Sequence, residues 1–455
     1  MMLPLLLLNV VAGASPATKR RPKRPAPHFD KLPPMFAALF IGAAMTAVAA
    51  DNIDTAAAKV EQSVIETRRD IHQHPELGNR ETRTQKLIVD RLTSLGIEVR
   101  TPIAHTGVVG ILRGAKSGKV VALRADMDAL PVEEQVDVPF KSTVRTTYNG
   151  QEVGVMHACG HDAHVAILLG VAEILAMKHD LAGTVVFLFQ PAEEGAPDGE
   201  DGGAALMVKE GALDNPKVDA VFGLHVTSRF AVGELAYRPE SMMAAVDSFK
   251  IVVHGRQTHG AYPWLGVDPI VIASQIVLGL QTIPSRQVDA SLAPSIVTVG
   301  MIRGGVRNNI IPDSVEMLGT IRSLDAHMRD EIHTRIRRTA ENIATSGGAT
   351  ASVTITAGYP ITFNDRALTE KMAPTLRRVA GADKTFVVNP VLGAEDFSFY
   401  QQKVPGLFFW IGTRPKNVTA EDAPSNHSPK FYVDESGLLL GIRAMANVAV
   451  DYLKQ

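Results

Sequence analysis

Apolar residues recur at helical spacing from Ala56 to about Leu95, interrupted by the loop-like stretch HQHPELGNRE, His72 to Glu81. The pattern then alternates between short apolar runs and amphipathic stretches. VVGILRG (Val108–Gly114) and KVVALRADMD (Lys119–Asp128) read as strands, HVAILLGVAEILAMK (His164–Lys178) as a helix and GTVVFLFQPAEEG (Gly183–Gly195) as a strand. GGAALMVKEGAL (Gly202–Leu213) follows as a helix and VDAVFGLHV (Val218–Val226) as a strand. Alternating strands and helices predict an α/β layer with helices packed on a sheet.

A second organisation begins near Ala245. Its order is strand (Asp247–Gly255), helix (Asp268–Ile283), two strands (Pro294–Gly305, Ser314–Ser323), helix (Asp325–Ala344) and strand (Gly348–Gly358). That β-α-β-β-α-β order is that of a ferredoxin-like unit. After Tyr359 helix and strand signals resume. The reading is therefore a catalytic α/β domain in two chain segments, 51–240 and 356–455. An α+β lid or dimerisation domain, 241–355, is inserted between them.

The first fifty residues do not share this periodicity. Met35–Asn52 (MFAALFIGAAMTAVAADN) is an apolar run ending in small residues, preceded by the basic stretch Lys19–Arg24 and by Lys31. It has the layout of a secretory signal and falls short of the roughly 20 residues of a membrane-spanning helix. Residues 1–50 are therefore read as an extension plus signal, with the natural start near Met35, an exported product and no membrane span after processing. A tail with a membrane anchor is the competing reading.

The chain is 45% apolar and 21% charged, as expected of a soluble globular protein. Six of its 46 Lys/Arg and one of its 48 Asp/Glu lie in residues 1–50, leaving 40 and 47, a net of −7. Nothing in that balance suits a nucleic-acid partner. The single cysteine, Cys159, excludes an internal disulfide.

Metal-type ligands cluster after the apolar runs: Asp126 and Asp128, then Cys159, His161, Asp162 and His164, then Glu193 and Glu194, then His225, and His427 near the C-terminus. The ends of sheet strands could bring them together. The adjacent carboxylates Glu193 and Glu194 repel unless something positive stands beside them. A metal meets that need if one Glu ligates it and the other handles the proton of an activated water; a solvated turn is the alternative. Cys159 could be a nucleophile, a ligand or a buried thiol. Asp162 is a plausible N-cap of the following helix, and His164 is expected to pack inside that helix. Thiolate, imidazole and carboxylate together suit Zn²⁺ or another first-row ion. Five candidate ligands exceed what one four-coordinate ion with an open position takes, which favours two ions. In the insertion, Arg322 offers a carboxylate-binding fork, while His259 and Asn309 offer donors for an oxyanion.

RADMDALP, MHACGHDAH, FQPAEEG, GLHV, HGAYPWLGVDP, NNIIPD, GTIRS, GAEDFSFY and NHSPKF resemble, in order from about Ala56 to the C-terminus, the M20 metallopeptidases. The likeness is to the amidohydrolase branch of hippurate, N-acyl-amino-acid and auxin-conjugate hydrolases. This resemblance implies hydrolysis of the amide of N-acyl amino acids or small peptides by a dinuclear centre. Its ligands would be Cys159, His161, Glu194, His225 and His427, with Glu193 as general base and Asp128 supporting the site. Asp126 stands where other branches have a metal histidine, which counts against it as a ligand. The resemblance further implies that His259 and Asn309 assist the tetrahedral intermediate, often from a partner subunit. Arg322 would hold the substrate carboxylate, and Gly393 would present a backbone group to the substrate. Two divalent ions are expected, Zn²⁺ foremost, with Mn²⁺, Co²⁺ and Ni²⁺ admissible, in a homodimer or higher homo-oligomer. Competing readings are a thiol hydrolase with Cys159 as nucleophile and an inactive ligand-binding protein of the same fold.

Overall fold

The computed structural model describes residues 52–455, so the expected extension and secretory segment lie outside it. Among the described residues no helix is long and apolar enough to cross a membrane.

An eight-stranded mixed sheet runs in the order Glu98–Ile103, Gly107–Arg113, Ala182–Gln190, Lys116–Asp126, Ala220–Ala231, Gly406–Arg414, Leu235–Tyr237, Thr385–Val387. Its four middle strands are mutually parallel. They are covered on both faces, which is why Val121–Asp126 and Val185–Gln190 are buried without the alternation of a one-sided sheet. On one face pack the helices Ile53–Gln73, His161–Ala176 and Leu438–Leu453. The first buries Ala56, Ala57, Val60, Val64 and Ile71, a stripe at i, i+3, i+4 spacing. The second is apolar nearly all round because it lies between the sheet and the other two helices. The short helix Gly203–Lys209 contributes Ala204, Leu206 and Met207 to the core on the other face.

The parallel direction matters for the site. It carries Asp126, Gln190 and Ala231 to the same edge of the sheet, and the chain beyond each of these ends is free to meet the others.

A separate four-stranded antiparallel sheet has the order Ser295–Gly304, Ser314–Ser323, Ala245–His254, Thr350–Ala357. Helices Pro269–Thr282 and Ala326–Ser346 cover it, and Phe249, Ile251, Val253, Met317 and Ile321 meet Ile276, Leu280, Ile332 and Ile336. Ala245–His254 alternates buried and open positions, the mark of a sheet with one covered face. This is the ferredoxin-like arrangement expected from the element order.

Two local expectations are corrected. Asp162 does not cap the helix that contains it. Gly160 occupies the N-cap with φ +90°, and the Asp162 carboxylate turns inward to Arg68 Nε (2.7 Å) and His72 Nδ1 (2.8 Å). A side chain at Gly160 would strike Val226 at 2.3 Å, so this tight entry requires glycine. The stretch before MHACGHDAH also holds a hairpin that the pattern reading passed over. Arg145–Tyr148 pairs with Gln151–Gly154 around Asn149 (φ +50°) and Gly150 (φ +77°). Asn-Gly is the strongest two-residue hairpin signal, but the flanking strands are mostly exposed and lack the apolar alternation that flags a strand.

Candidate metal centre

Cys159 ends the loop before the helix His161–Ala176, and His161 is the first residue of that helix. Glu193 and Glu194 follow the strand Ala182–Gln190 through a turn in which Ala192 has φ +50°. A buried carboxylate underpins that turn: Glu81 accepts from Ala192 N (2.9 Å) and Thr106 Oγ1 (2.5 Å). Burial, then the charge of Asp128, pushes Glu81 up to about 8. His225 lies within Ala220–Ala231. His427, itself at φ +72°, is tied to the loop by its N–H donating to Ala158 O at 2.8 Å.

These five side chains converge. Cys159 Sγ lies 3.4 Å from His225 Nε2 and 3.2 Å from His427 Nε2, and His427 Nε2 lies 2.9 Å from Glu194 Oε1. The donor atoms of Cys159, His161 and His225 lie within 4.8 Å of one another, as do those of Cys159, Glu194 and His427. Cys159 belongs to both triads, so its sulfur stands between two potential ion positions.

The hydrogen bonds assign the free lone pairs. His161 Nδ1 donates to Asp128 O (2.9 Å) and faces Asp128 Oδ1 (3.2 Å); His225 Nδ1 donates to Val226 O (2.6 Å). In each ring Nδ1 is therefore a donor, and Nε2 is the nitrogen left to ligate once the ring is neutral. His161 Nε2 and Glu194 Oε1 are buried with no hydrogen-bond partner, although Glu194 Oε1 sits close to His427. Buried polar atoms left this way are costly. A cation accepting both lone pairs removes that cost, and the soft and borderline donors fit a first-row divalent ion. Asp128 also accepts from Glu194 N at 2.9 Å, so it holds two of the candidate ligands at once.

The electrostatics are those of the cluster before a cation competes with its protons. His427 is pushed up to about 10, first by Cys159 and then by Glu194. Burial pulls His161 down, but Asp126, Asp128 and Cys159 together hold it well above the usual range. Burial, with His164 beside it, keeps His225 well below. Burial raises the Cys159 thiol, and Glu194 adds to it. The helix entry alone thus does not activate the sulfur; a thiolate here needs a positive partner. Burial, then Glu395, Glu194 and Asp396, pushes Glu193 well above the usual carboxylate range. A divalent cation alongside acts in the opposite direction.

His164 and Asp126 also lie within 4.8 Å of His161 as a possible donor group, but their own bonds compete with ligation. His164 Nδ1 pairs with Asp126 Oδ1, and its Nε2 accepts from Val226 N at 2.8 Å. Asp126 is further held by Arg124, which also binds Glu395 and Asp396 at 2.9 Å each. All of this network is buried.

A cavity of about 440 Å³ opens on the cluster. Cys159, Glu193, Glu194, His225 and His427 line it together with Arg322 and Gly393. Arg322 projects from Ser314–Ser323 and makes no ion pair among the described residues; burial pulls its guanidinium down, opposed by Asp247. The Gly393 carbonyl is taken by Ala244 N (2.9 Å). His259 and Asn309 lie side by side, through Gly260 N donating to Asn309 O (2.8 Å), but outside this cavity.

Three contributors escaped the sequence reading. Tyr359 donates its hydroxyl to Glu193 O (2.6 Å) while its own carbonyl accepts from Val246 N (3.0 Å), joining the second sheet to the Glu193 turn. Asn426 donates to Cys159 O and Val226 O, both at 3.1 Å, clamping two ligand loops. Arg229 lines the cavity against Trp410. Adjacency to His427 was a usable signal for Asn426; nothing in the local sequence marks Tyr359 or Arg229.

The profile of Peptidase family M20/M25/M40 matches residues 122–451. Thermostable carboxypeptidase 2 of Saccharolobus solfataricus is 45% identical over 397 residues, covering 87% of this chain and 96% of its own. N-acetylcysteine deacetylase of Bacillus subtilis is 38% identical over 393 residues, covering 86% and 97%. Among solved structures, the Bacillus subtilis YXEP protein, described as a dinuclear metal-binding peptidase of the M20 family, superposes with a TM-score of 0.73. It is 35% identical, over 87% of this chain and 99% of that one.

Proposed function

The chain belongs to peptidase family M20/M25/M40 and is a hydrolase of that family, and from that premise we propose that it hydrolyses the amide of N-acyl amino acids. The observation that carries this reading is one cavity holding two kinds of unsatisfied group. One is the Glu194 carboxylate, whose Oε1 meets only His427 and which lies beside the partnerless Nε2 of His161 behind the lining; the other is the guanidinium of Arg322, which makes no ion pair among the described residues.

Cys159, His161, Glu194, His225 and His427 would hold two divalent ions, with Zn²⁺ the first candidate and Mn²⁺, Co²⁺ or Ni²⁺ admissible. When bound, such ions lower the pKa of water and polarise a carbonyl. Arg322 grips the free carboxylate of the amino acid and so fixes where the acyl carbonyl lies. Glu193 takes a proton from the attacking water as the new C–O bond forms, and passes it to the nitrogen as the C–N bond breaks. Asp128 keeps the His161 and Glu194 donors aimed, and Gly393 lines the cavity beside the substrate. His259 and Asn309 serve the developing oxyanion, from a second copy of the chain in a homodimer. In support, their loop lies outside the cavity of their own chain, and Ile270, Val271 and Leu278 leave an exposed apolar face on the nearby helix Pro269–Thr282. Residues 51–240 and 356–455 then form the catalytic part, 241–355 the lid, and the product is exported.

The His427–Cys159 approach also favours a second reading, a thiol hydrolase. Chelation decides between them. Dialysis against phenanthroline is expected to abolish hydrolysis of N-acyl amino acids, and added divalent ion to restore it. Activity that survives complete metal removal would establish the thiol route instead.

A further inference from the structure

Glu193, the base of the proposed reaction, has few bonds to hold it. The turn before it bends through Ala192 at φ +50°, and its carboxylate has only His161 Nε2 within ion-pair range, at 3.9 Å. Its neighbours are tied independently, Ala192 N to Glu81 and Glu194 N to Asp128, at 2.9 Å each. Glu193 itself makes one hydrogen bond among the described residues, in which its carbonyl accepts from the Tyr359 hydroxyl at 2.6 Å.

The other end of Tyr359 is built into the second sheet. Tyr359 stands just beyond the strand Thr350–Ala357, and its carbonyl accepts from Val246 N at 3.0 Å. Gly358 N donates back to Val246 O (3.1 Å) and to the buried Asp247 carboxylate (3.0 Å). Val246 is the register partner of Arg322 on the adjacent strand, so the two side chains share a face. Phe399 braces the Tyr359 ring edge-on at 6.0 Å. A short run of contacts therefore leads from Arg322 through Val246 and Tyr359 to Glu193, and all four residues line the one cavity.

We infer that Tyr359 is a positioning residue, a strut that fixes the spacing between the carboxylate grip and the general base. The inference rests on the amidohydrolase reading above. A substrate gripped at Arg322 has its amide at a set distance from that strand, and the base must stand at the matching distance to take the proton of the attacking water. Removing the Tyr359 hydroxyl leaves Arg322 and Glu193 in place and loosens only their spacing. The ligands are spared, because Glu194 keeps its own ties to Asp128 and His427.

Tyr359→Phe is compared with the wild type as metal-reconstituted full chains, on N-benzoylglycine and N-acetyl-L-methionine, and the same pair is made on an Arg322→Ala background. Tyr359→Phe is expected to keep the metal content of the wild type, to lower kcat at least about tenfold and to move KM by less than about twofold, the pattern of lost alignment in the transition state. On the Arg322→Ala background it should lower kcat/KM by less than about threefold, since a substrate that is not gripped is not aligned by the strut. A hydroxyl that merely stabilised the turn would cost the same factor in both backgrounds. Additive losses therefore overturn the inference, as does an unchanged kcat, a change confined to KM, or loss of metal from Tyr359→Phe; each of these leaves the amidohydrolase reading standing. A wild type that cleaves neither substrate when loaded with divalent ion removes that reading, and the strut with it.

Discussion

Two buried polar clusters grow from the one stretch MHACGHDAH, and they solve the problem of burial in opposite ways. Asp162 is bonded to Arg68 and His72, and His72 in turn to Glu134 (3.0 Å), so opposite charges meet within the protein. Its next-door neighbour His161 keeps Nε2 without a partner, facing Cys159, Glu193 and Glu194. The first cluster is a staple, joining the helices Ile53–Gln73 and His161–Ala176 and the loop that carries Glu134. The second, in the function proposed above, would be completed by a charge from outside. Within the same helical turn His164 belongs to the first kind, with both ring nitrogens engaged, and His161 to the second. Residue type does not separate a structural histidine from a ligand; the state of its second nitrogen does.

The largest separation between the clusters is expected from paired substitutions. Asp162→Ala removes the acid that Arg68 and His72 share, leaving them only Glu435 and Glu134, and should cost about 3 kcal/mol in denaturant unfolding, whether or not metal is present. His225→Ala should leave unfolding of the metal-free protein nearly unchanged and abolish tight binding of one ion, as read by elemental analysis. Equal destabilisation by both would erase the distinction. Within the metal cluster, Glu193→Gln should retain both ions and lower kcat on the order of 10³-fold, within the range of general acid–base effects. Loss of metal in that variant would make Glu193 a ligand instead.

The smallest effect tests a third buried acid, Asp247 in the second sheet, which is of the self-satisfied kind. Although burial opposes it, Arg329, His333 and Gly358 N hold its carboxyl well below the usual range. A depressed folded pKa contributes stability that is fully present above the unfolded value of about 3.9 and is lost as pH falls towards the folded one. The stability gap between wild type and Asp247→Asn should therefore be widest near neutral pH and narrow below about pH 4. A gap independent of pH between 7 and 3 would show that the variant acts through packing alone.

Most of the scaffold was legible because burial imposes period. The parallel strands are near-continuous apolar runs, the second sheet alternates, and the helix Ile53–Gln73 shows its stripe directly in the sequence. The hairpin before MHACGHDAH was not, since Arg145–Tyr148 buries little and its Asn-Gly turn stood without apolar flanks. Asp162 was misread for a related reason. A carboxylate at a helix start is a good cap by local chemistry, but Arg68, 94 positions away, competes for it more strongly.

By itself the sequence determined the donor inventory, the order of elements and the chemistry that a lone cysteine among histidines and paired carboxylates invites. Only the tertiary structure decided which atoms were left over. Asp128 O and Val226 O claim one nitrogen each of His161 and His225, and Asp126 with Val226 N claims both of His164. Those partners come from separate strands, and the hydrogen bond that fixes a tautomer depends on distance and direction, which a one-dimensional string does not contain.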